Sequence, residues 1–264
     1  SAMEIWKAAI LGIVQGLTEF LPVSSSGHIL VFERILRAET GGKNLFFGVM
    51  LHAGTLVSVM FAYFGRIVEI LKQDRKQLLY LIVATVPAAL VGFFLGDAVD
   101  RVFFGGKYLW IFFALTAVLL LTAQARAKRA RLLRPVDLKT ALTAGTAQAF
   151  AVIPGLSRSG TTLSACIFAG AEREKAADFS FLMSIPIIAG AIFAEFLKAF
   201  TDEGFVSAIP WQSLAVGALT AAVFGYFSIK ILLGAIKRGR LTGFAVYLFI
   251  VAAIMLANNF LCLF

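Results

Sequence analysis

The sequence predicts an all-α integral membrane protein, an inverted-topology repeat with six transmembrane helices plus two re-entrant helical hairpins. Three observations support this prediction: the composition, the lengths of the apolar runs and an internal repeat. The 264 residues are 60% hydrophobic, include 26 phenylalanines and are only 15% charged. Soluble domains carry about 25% charged residues. The composition therefore excludes an ordinary soluble protein.

Six apolar runs approach the ~20 residues that cross a bilayer as a helix. The sequence lacks the period-two alternation that is typical of a transmembrane β-barrel. Helices are the other way to satisfy backbone hydrogen bonds inside a bilayer, so each run is predicted to be a transmembrane helix. The runs lie at about 46–64, 78–96, 107–125, 179–198, 212–232 and 243–264.

The net charge of +9 indicates membrane topology and not a nucleic-acid partner. Basic residues concentrate in three connections between spans, and connections rich in Lys and Arg face the cytoplasm. The alternate connections, around 97–107 and 201–210, carry little or no positive charge and are predicted to face outward. The basic connections contain Arg66, Lys72, Arg75 and Lys76, then Arg126, Lys128, Arg129, Arg131, Arg134 and Lys139, and then Lys230, Lys237, Arg238 and Arg240.

An internal repeat is the most informative feature of the chain. We interpret the chain as a single membrane domain with a first repeat at 1–125, a basic cytoplasmic linker at 126–140 and a second, inverted repeat at 141–264. Each repeat is expected to contain one hairpin followed by three spans. An offset of 133 residues places Gly12 on Gly145, Gln15 on Gln148, Ser24 on Ser157, Ser26 on Ser159 and Gly27 on Gly160.

The stretches at 5–36 and 138–170 are interpreted as hairpins that return to the side from which they enter. Pro and Gly divide each stretch into short arms, and an arm of about ten residues reaches only ~15 Å. If each hairpin crossed the membrane, the basic connection at 230–240 would lie outside, against the positive-inside bias. Each repeat then crosses the membrane three times. Because three is an odd number, the second repeat begins on the opposite side from the first, and the two halves are inverted relative to one another. The first hairpin is expected to enter from outside and the second from inside, with tips that meet near the midplane.

The first tip is "QGLTEFLPVSSSGH", from Gln15 to His28. Gln15 and Glu19 are four residues apart and share one face of a helix. The serine run followed by Gly27 is suited to capping the next helix, and the N–H groups at a helix start bind anions. Glu19 is a functional candidate, because an ionisable group inside the membrane is costly.

The second tip is "PGLSRSGTT", at Pro154–Thr162, and it repeats the cap. It adds Arg158, whose planar guanidinium suits a phosphate. Glu19, Ser25 and His28 of the first half would supply a nucleophile and a base, and Arg158 would neutralise charge during phosphoryl transfer. The implied ligand is a phosphate or pyrophosphate.

Purely structural roles compete with these functional ones. Serines in membrane helices also serve close packing or capping. For Ser24 and Ser26 such a structural role and contact with the ligand are equally favoured. Arg158 could form only a salt bridge to Glu19. His52, within a span at "MLHAGT", is interpreted as a hydrogen-bonded packing histidine.

Both motifs resemble those of the undecaprenyl-diphosphatase family, the bacitracin-resistance type of membrane pyrophosphatase. The first family motif is an acidic residue or Gln, then any three residues, then Glu and FLPVSSSGH, and it matches Gln15–His28. The second motif, PGxSRSGxT, matches Pro154–Thr162. The resemblance implies hydrolysis of undecaprenyl pyrophosphate to the monophosphate, which regenerates the lipid carrier for peptidoglycan synthesis. It also implies a multi-pass protein of the bacterial plasma (inner) membrane, an active site that opens outward, and a divalent cation, Mg²⁺ or Ca²⁺. It leaves a homodimer open.

Residue roles follow from the resemblance by position. Glu19 would bind the metal or act as the base, Arg158 would hold the pyrophosphate, and either Ser25 or His28 would be the nucleophile. Many family members have Glu where this chain has Gln15, so substrate oxygens and water would have to complete the shell of the cation. The expected substrate-binding residues are Gln15, Ser24, Ser26, Gly27, Ser157, Ser159, Gly160 and Thr162.

Two other functions fit some of the same features. Inverted repeats and broken helices also occur in secondary transporters, so a carrier or flippase of an anionic or phospholipid substrate is an alternative. A purely structural scaffold leaves the membrane-embedded Glu, Arg and His unexplained. An enzyme predicts phosphate release that is lost on mutation of Glu19, His28 or Arg158, whereas a carrier predicts flux without hydrolysis.

Overall fold

A computed structural model describes residues 4–38, 45–103, 105–129, 134–201 and 210–261. These residues form helices, with one isolated β-bridge between Arg134 and Ala171. The fold is therefore all-α in the described part of the chain, as predicted. In chain order the helices are α1 (Ile5–Phe20), α2 (Ser25–Leu36), α3 (Leu45–Ala62), α4 (Phe64–Gln73), α5 (Arg75–Phe103), α6 (Leu109–Arg129), α7 (Leu138–Phe150), α8 (Arg158–Phe168), α9 (Arg173–Thr201), α10 (Trp211–Lys237) and α11 (Thr242–Leu261).

Five helices among the described residues are long and apolar enough to cross a membrane. They are α5, α6, α9, α10 and α11, which contain five of the six predicted spans. The sixth predicted span lies in α3 and α4, which are sufficiently long and apolar together but are bent by 71°. The last span was predicted to extend to residue 264, and its residues 262–264 lie outside the described part. The chain is thus a multi-pass membrane protein, with five candidate spans among the described residues, or six when the bent pair counts as one.

The four remaining helices form two hairpins of short arms. The longest arm, α1, has 16 residues, and the shortest, α8, has 11. At 1.5 Å per residue these helices reach ~24 Å and ~17 Å, less than the ~30 Å hydrocarbon core of a bilayer. The depth of the hairpins in the membrane, and their return to the side of entry, stay predictions.

Both hairpins break where the sequence predicts. Helix α1 ends at Phe20, just before Pro22, and α2 begins after Ser24, whose Oγ accepts a hydrogen bond from the Gly27 N–H at 3.4 Å. In the second hairpin the chain turns at Gly155, with φ of 91°, and the Ser157 Oγ accepts from the N–H of Gly160 at 3.1 Å. The capping role predicted for the serines is therefore confirmed for Ser24 and Ser157.

Each hairpin packs on a long helix of the other half, α1 on α10 and α7 on α5. A Cβ on Gly12 would collide with the carbonyl oxygen of Gly217, and a Cβ on Gly145 would lie 2.7 Å from that of Ala84. The offset of 133 residues relates Gly12 to Gly145 and also Ala84 to Gly217. The two contacts are therefore equivalent positions of the two halves. The repeat boundaries at 125 and 141 stay a prediction, and residues 130–133 of the linker lie outside the described part.

The hydrophobic core surrounds the C-terminal end of α1. Phe20 is fully buried and meets the ring of Phe181 edge to face, with 5.9 Å between centroids. Phe179 and Leu163 belong to the same buried cluster. Because this cluster holds α1, α8 and α9 together, it fixes the position of Glu19 at the end of α1 relative to the start of α8.

Candidate active site at the two hairpin tips

The structure brings the two hairpin tips into direct contact. Arg158 at the start of α8 donates a hydrogen bond from Nη2 to Oε1 of Glu19 at 2.6 Å. The hydroxyl of Ser159 donates to the carbonyl oxygen of Leu21 at 3.0 Å. Residues 139 positions apart in sequence therefore form one polar cluster between the halves.

Glu19 is the centre of this cluster. Its side chain is buried, and Oε2 accepts hydrogen bonds from the Ser25 hydroxyl at 2.7 Å and from Nε2 of Gln15 at 3.0 Å. A buried carboxylate stays ionised only when charge and hydrogen bonds compensate its desolvation. Arg158 provides the charge, and Gln15 and Ser25 provide the further donors. The carboxylate is therefore held as an acceptor directly against the Ser25 hydroxyl.

Arg158 has hydrogen-bonding capacity left after it pairs with Glu19. Its Nη1 atom is buried and has no hydrogen-bond partner among the described residues. A buried donor without a partner costs about 1–3 kcal/mol, and guanidinium donors match phosphate oxygens in geometry. This nitrogen is therefore suited to an anion at the cluster.

The starts of α2 and α8 both lie at the cluster. The first N–H groups of a helix have no partner within the helix and favour anions. The N–H groups of Ser25 and Ser26, and those of Arg158 and Ser159, have no acceptor in the described part of the chain. Two helix N-termini from different halves thus add positive potential to one location.

His28 is buried beside the cluster, and both of its ring nitrogens are engaged. Nδ1 lies 2.7 Å from the carbonyl oxygen of Ser24, and a carbonyl can only accept, so Nδ1 carries a hydrogen. In the neutral ring Nε2 accepts from the Tyr247 hydroxyl at 2.7 Å. The rings of His28 and Tyr247 are also stacked, with 5.7 Å between centroids. Tyr247, from α11, therefore fixes the orientation of His28.

A family model described as bacitracin resistance protein BacA matches residues 8–254 of the chain. Proteins called undecaprenyl-diphosphatase are similar over nearly the whole chain. The protein from Carboxydothermus hydrogenoformans is 38% identical, with 96% of this chain and 97% of the relative covered. The protein from Halothermothrix orenii is 37% identical, with 96% and 98% covered, and that from Treponema denticola is 39% identical, with 93% and 94% covered.

The chain belongs to the bacitracin resistance protein BacA family.

The other expected substrate-binding residues of this BacA family member divide into capping, packing and exposed positions. Thr162 is fully buried, and its hydroxyl donates to the Arg158 carbonyl at 2.9 Å and contacts the Ser180 hydroxyl at 2.6 Å. Ser26 is exposed at the tip. Gly27 and Gly160 lie where a Cβ would meet Phe113 at 2.5 Å and Thr116 at 3.1 Å. Ser26 is thus the accessible hydroxyl of this group, and the glycines allow the tips to approach.

Three residues of the site were not assigned a site role by the sequence. The sequence predicts His52 to be a hydrogen-bonded packing histidine, and the hydrogen bond is confirmed, because its Nδ1 lies 3.1 Å from Gln15 Nε2. The same Nδ1 is 3.9 Å from Glu19 Oε2, which places His52 at the site. Tyr247 holds His28, and the Thr116 hydroxyl accepts from the N–H of Ser157 at 3.1 Å. The available signal was a polar side chain inside an apolar span. That signal does not identify the partner, because all three partners are distant in sequence.

The residues of the site fit a divalent cation only in part. The described residues contain no group of three or more His, Cys, Asp or Glu that could hold a metal ion. Glu19 is the carboxylate at the cluster, and Gln15 and Ser25 could add oxygens. Calcium takes 6–8 oxygens, whereas Mg²⁺ often binds through one or two carboxylates together with substrate phosphates and water. The donor set therefore suits an ion that arrives with a pyrophosphate and does not form an all-protein cage.

Proposed function

We propose that this protein hydrolyses undecaprenyl pyrophosphate to undecaprenyl phosphate and inorganic phosphate, and so recycles the lipid carrier of peptidoglycan synthesis. Relatives of 37–39% identity carry the name undecaprenyl-diphosphatase. The observation that carries the proposal is the joining of Ser25, Glu19 and Arg158 in one cluster. A nucleophile, a base and an anion-binding guanidinium are the groups that phosphoryl transfer needs.

Ser25 is the proposed nucleophile. Its hydroxyl already donates to Glu19 at 2.7 Å, which is within reach for general-base catalysis. As the Ser25 Oγ attacks the terminal phosphorus, its proton passes to Glu19 and the bond from phosphorus to the bridging oxygen breaks. The bridging oxygen keeps the electron pair and leaves on the lipid monophosphate, which accepts the proton from Glu19. The terminal phosphoryl group is then bonded to Ser25.

Water completes the reaction. A water molecule attacks the phosphoserine, gives a proton to Glu19 and displaces the Ser25 oxygen, which is reprotonated. Inorganic phosphate leaves, so one water is consumed for each pyrophosphate. Through both steps Arg158 and the two helix N-termini stabilise the charge on the equatorial oxygens, and such preorganised donors are commonly the largest contribution to catalysis.

His28 is proposed to orient the tip of the first hairpin and not to act as the nucleophile on phosphorus. Its Nδ1 is bound to the Ser24 carbonyl and its Nε2 to Tyr247, so neither nitrogen has a free lone pair in this arrangement. Attack by His28 would first require loss of the Tyr247 contact. Ser25 needs no such rearrangement, because its hydroxyl and its base are already hydrogen-bonded.

A divalent cation, Mg²⁺ or Ca²⁺, is proposed to enter with the substrate. Glu19 would be its protein carboxylate ligand, and the pyrophosphate and water would supply the remaining oxygens. When bound, the ion supplies charge neutralisation for the phosphates. Glu19 is also paired with Arg158, so the cation and the guanidinium would share one carboxylate.

The two hairpins are proposed to be re-entrant, within an inverted repeat whose site opens to the outer side of the plasma membrane. Support comes from the equivalent contacts of Gly12 and Gly145 and from arms shorter than a bilayer. The positive-inside bias places the basic connections in the cytoplasm. This arrangement directs the first hairpin, which carries Glu19 and Ser25, to the outside.

Phosphate release by the purified protein tests the proposal. We expect release from a long-chain prenyl pyrophosphate with Mg²⁺ or Ca²⁺, and we expect a chelator to abolish it. Ser25→Ala should reduce the rate at least about 1,000-fold, because a nucleophile is lost. The same change one position along, Ser26→Ala, should cost at most about tenfold, the effect of one hydrogen bond.

The chemistry of a trapped intermediate separates the two nucleophiles. Phosphoserine survives acid, whereas phosphohistidine does not, so an acid-stable phosphoenzyme that is absent from Ser25→Ala supports Ser25. Transport of the lipid across vesicles without phosphate release would instead favour the carrier. The BacA family match and the name of the relatives favour the enzyme.

A further inference from the structure

His52 in α3 lies beside Glu19 and has no role in the proposed hydrolysis. Its Nδ1 is 3.9 Å from Oε2 of Glu19 and 3.1 Å from Nε2 of Gln15. Gln15 is 2% exposed, whereas the His52 side chain is 44% exposed. Gln15 is thus enclosed between the carboxylate and the imidazole, and the imidazole faces open space.

His52 lies at the edge of the buried face of α3. Residues at i, i+3 and i+7 share one face of a helix, and Thr55 and Val59 on the His52 face are both 0% exposed. Val57 and Phe61 lie on the other face and are 59% and 72% exposed. Leu56 and Met60, at i+4 and i+8 from His52, are partly exposed. The exposed part of His52 therefore lies at the edge of the buried face of α3, with its Nδ1 3.9 Å from Oε2 of Glu19.

The hydrogen-bond network assigns the tautomer of His52. The Glu19 carboxylate can only accept, so the Gln15 amide must present its NH₂ group to it. The same Nε2 atom is 3.1 Å from His52 Nδ1, and its second hydrogen is directed there. Nδ1 is therefore an acceptor, and the ring hydrogen of neutral His52 is on Nε2. In the described part of the chain Nε2 has no hydrogen-bond partner.

We infer that His52 is a further substrate-contacting residue, whose Nε2–H donates a hydrogen bond to a non-bridging oxygen of the pyrophosphate. Gln15 acts as a positioning residue, because its amide sets the tautomer of His52 while it holds Glu19. The substrate phosphates then lie between Arg158 Nη1 on one side and His52 Nε2 on the other. This inference rests on the proposed function for the identity of the anion.

Binding of a non-hydrolysable analogue tests the inference independently of catalysis. The probe is a long-chain prenyl methylenebisphosphonate, and its Kd is measured by calorimetry on the intact protein in detergent. His52→Phe keeps a ring but removes the donor, and we expect Kd to rise about 10-fold to 100-fold, the effect of a lost hydrogen bond to a charged group. His52→Gln restores a terminal N–H donor and should recover most of the affinity.

Val57→Ala is the matched control, since it lies in the same helix on the outer face and should leave Kd within about twofold. If His52→Phe does not purify as a monodisperse protein, His52→Met carries the same test. An unchanged Kd in the folded His52 variants overturns the inference, even if wild type hydrolyses the substrate. A rise in Kd when wild type releases no phosphate supports the contact and contradicts only the proposed hydrolysis.

Coupling to Gln15 provides a second readout that a simple packing role would not produce. Gln15→Met removes the amide that orients His52, so the effect of His52→Phe on Kd should be clearly smaller in the Gln15→Met background. A double-mutant cycle measures this coupling. Additive effects of the two changes would contradict the positioning role of Gln15.

Discussion

Glu19 receives hydrogen bonds from three elements of the fold. Gln15 is on its own helix α1, Ser25 begins α2 and Arg158 begins α8 of the other half. Each donor lowers the cost of keeping a carboxylate buried, and removal of the charged partner from such a pair costs about 3–5 kcal/mol. The position of Glu19, the proposed base, is therefore coupled to the stability of the contact between the halves, and both depend on Arg158.

Tyr247→Phe should slow phosphate release and lower stability. The change removes the hydroxyl that binds His28 Nε2 and leaves a buried acceptor without a partner, which costs about 1–3 kcal/mol. For a chain of this size, 1 kcal/mol corresponds to a shift of about 2–4 °C in Tm. Thermal unfolding in detergent, together with the rate of phosphate release, measures both effects.

Tyr226→Phe is the control for that change. Tyr226 contacts the Phe61 ring and the Lys230 ammonium through its own ring, and its hydroxyl has no hydrogen-bond partner among the residues that the structure describes. Removing this hydroxyl should therefore leave Tm and the rate unchanged. Equal behaviour of the two variants would mean that the Tyr247 hydroxyl does not hold His28.

At the scale of elements, Asp137 provides a titratable cap for helix α7. Its Oδ1 accepts from the Thr140 hydroxyl at 2.7 Å and from the Thr140 N–H at 2.8 Å. These hydrogen bonds hold the pKa of Asp137 below its ordinary value. Since the folded pKa is the lower one, the stabilisation is complete above the unfolded pKa of ~3.9 and is lost as pH falls through the folded pKa.

Asp137→Ala should therefore lower stability by about 1 kcal/mol at pH 7, as expected for the loss of a helix cap. The difference from wild type should shrink as pH falls below about 4. Asp137→Asn keeps a capping oxygen without a titratable group, and it should stay close to wild type at pH 7. If the difference in stability between Asp137→Ala and wild type is unchanged at pH 3, the assigned cap is contradicted. Thermal unfolding at several pH values provides the measurement.

The contact between α1 and α10 leaves no room for a side chain at Gly12. Gly12→Ala places a Cβ against the Gly217 carbonyl, and overpacking of this kind costs about 1–3 kcal/mol. Gly145→Ala should act similarly, because its Cβ would meet the Ala84 carbonyl at 2.7 Å. Loss of thermal stability in detergent measures both changes.

Gly92→Ala is the matched control for the two glycines. Gly92 is also inside a long helix, but a Cβ there would meet nothing within 4 Å. Because alanine favours a helix over glycine by about 1 kcal/mol, this variant should be as stable as wild type or more stable. Equal destabilisation by all three changes would show that glycine flexibility, and not close packing, matters at these positions.

At the scale of the whole molecule, local features of the fold were predictable from sequence and distant contacts were not. Apolar length predicts the spans, Pro22 predicts the end of α1, and Ser24 and Ser157 predict the caps, since each signal acts within a few residues. The bend of 71° between α3 and α4 lies at the end of the predicted run 46–64, just before Gly65 and Arg66. The sequence therefore predicts the end of the span there, but it does not predict that the chain continues as the helix α4.

The candidate site divides in the same way. The motifs identify Glu19, Ser25 and Arg158, because ionisable and hydroxyl groups in an apolar chain are conspicuous. They do not identify His52 or Tyr247, whose contacts with Gln15 and His28 bridge 37 and 219 positions. Such partners depend on how the halves pack, and a single sequence does not encode that packing in any local pattern.

The proposed inverted arrangement of the halves makes a prediction about labelling from the two sides of the membrane. Glu4 precedes α1 and Asp137 precedes α7, so they are equivalent ends of the two hairpins. In an inverted repeat Glu4 faces outside and Asp137 faces the cytoplasm, together with Lys72 and Arg238 of the basic connections.

In a Cys-free background, a membrane-impermeant maleimide should label Glu4→Cys in intact spheroplasts. It should label Asp137→Cys, Lys72→Cys and Arg238→Cys only after permeabilisation. Labelling of Glu4→Cys and Asp137→Cys from the same side would contradict the inversion, because hairpins that enter from one side cannot belong to oppositely oriented halves.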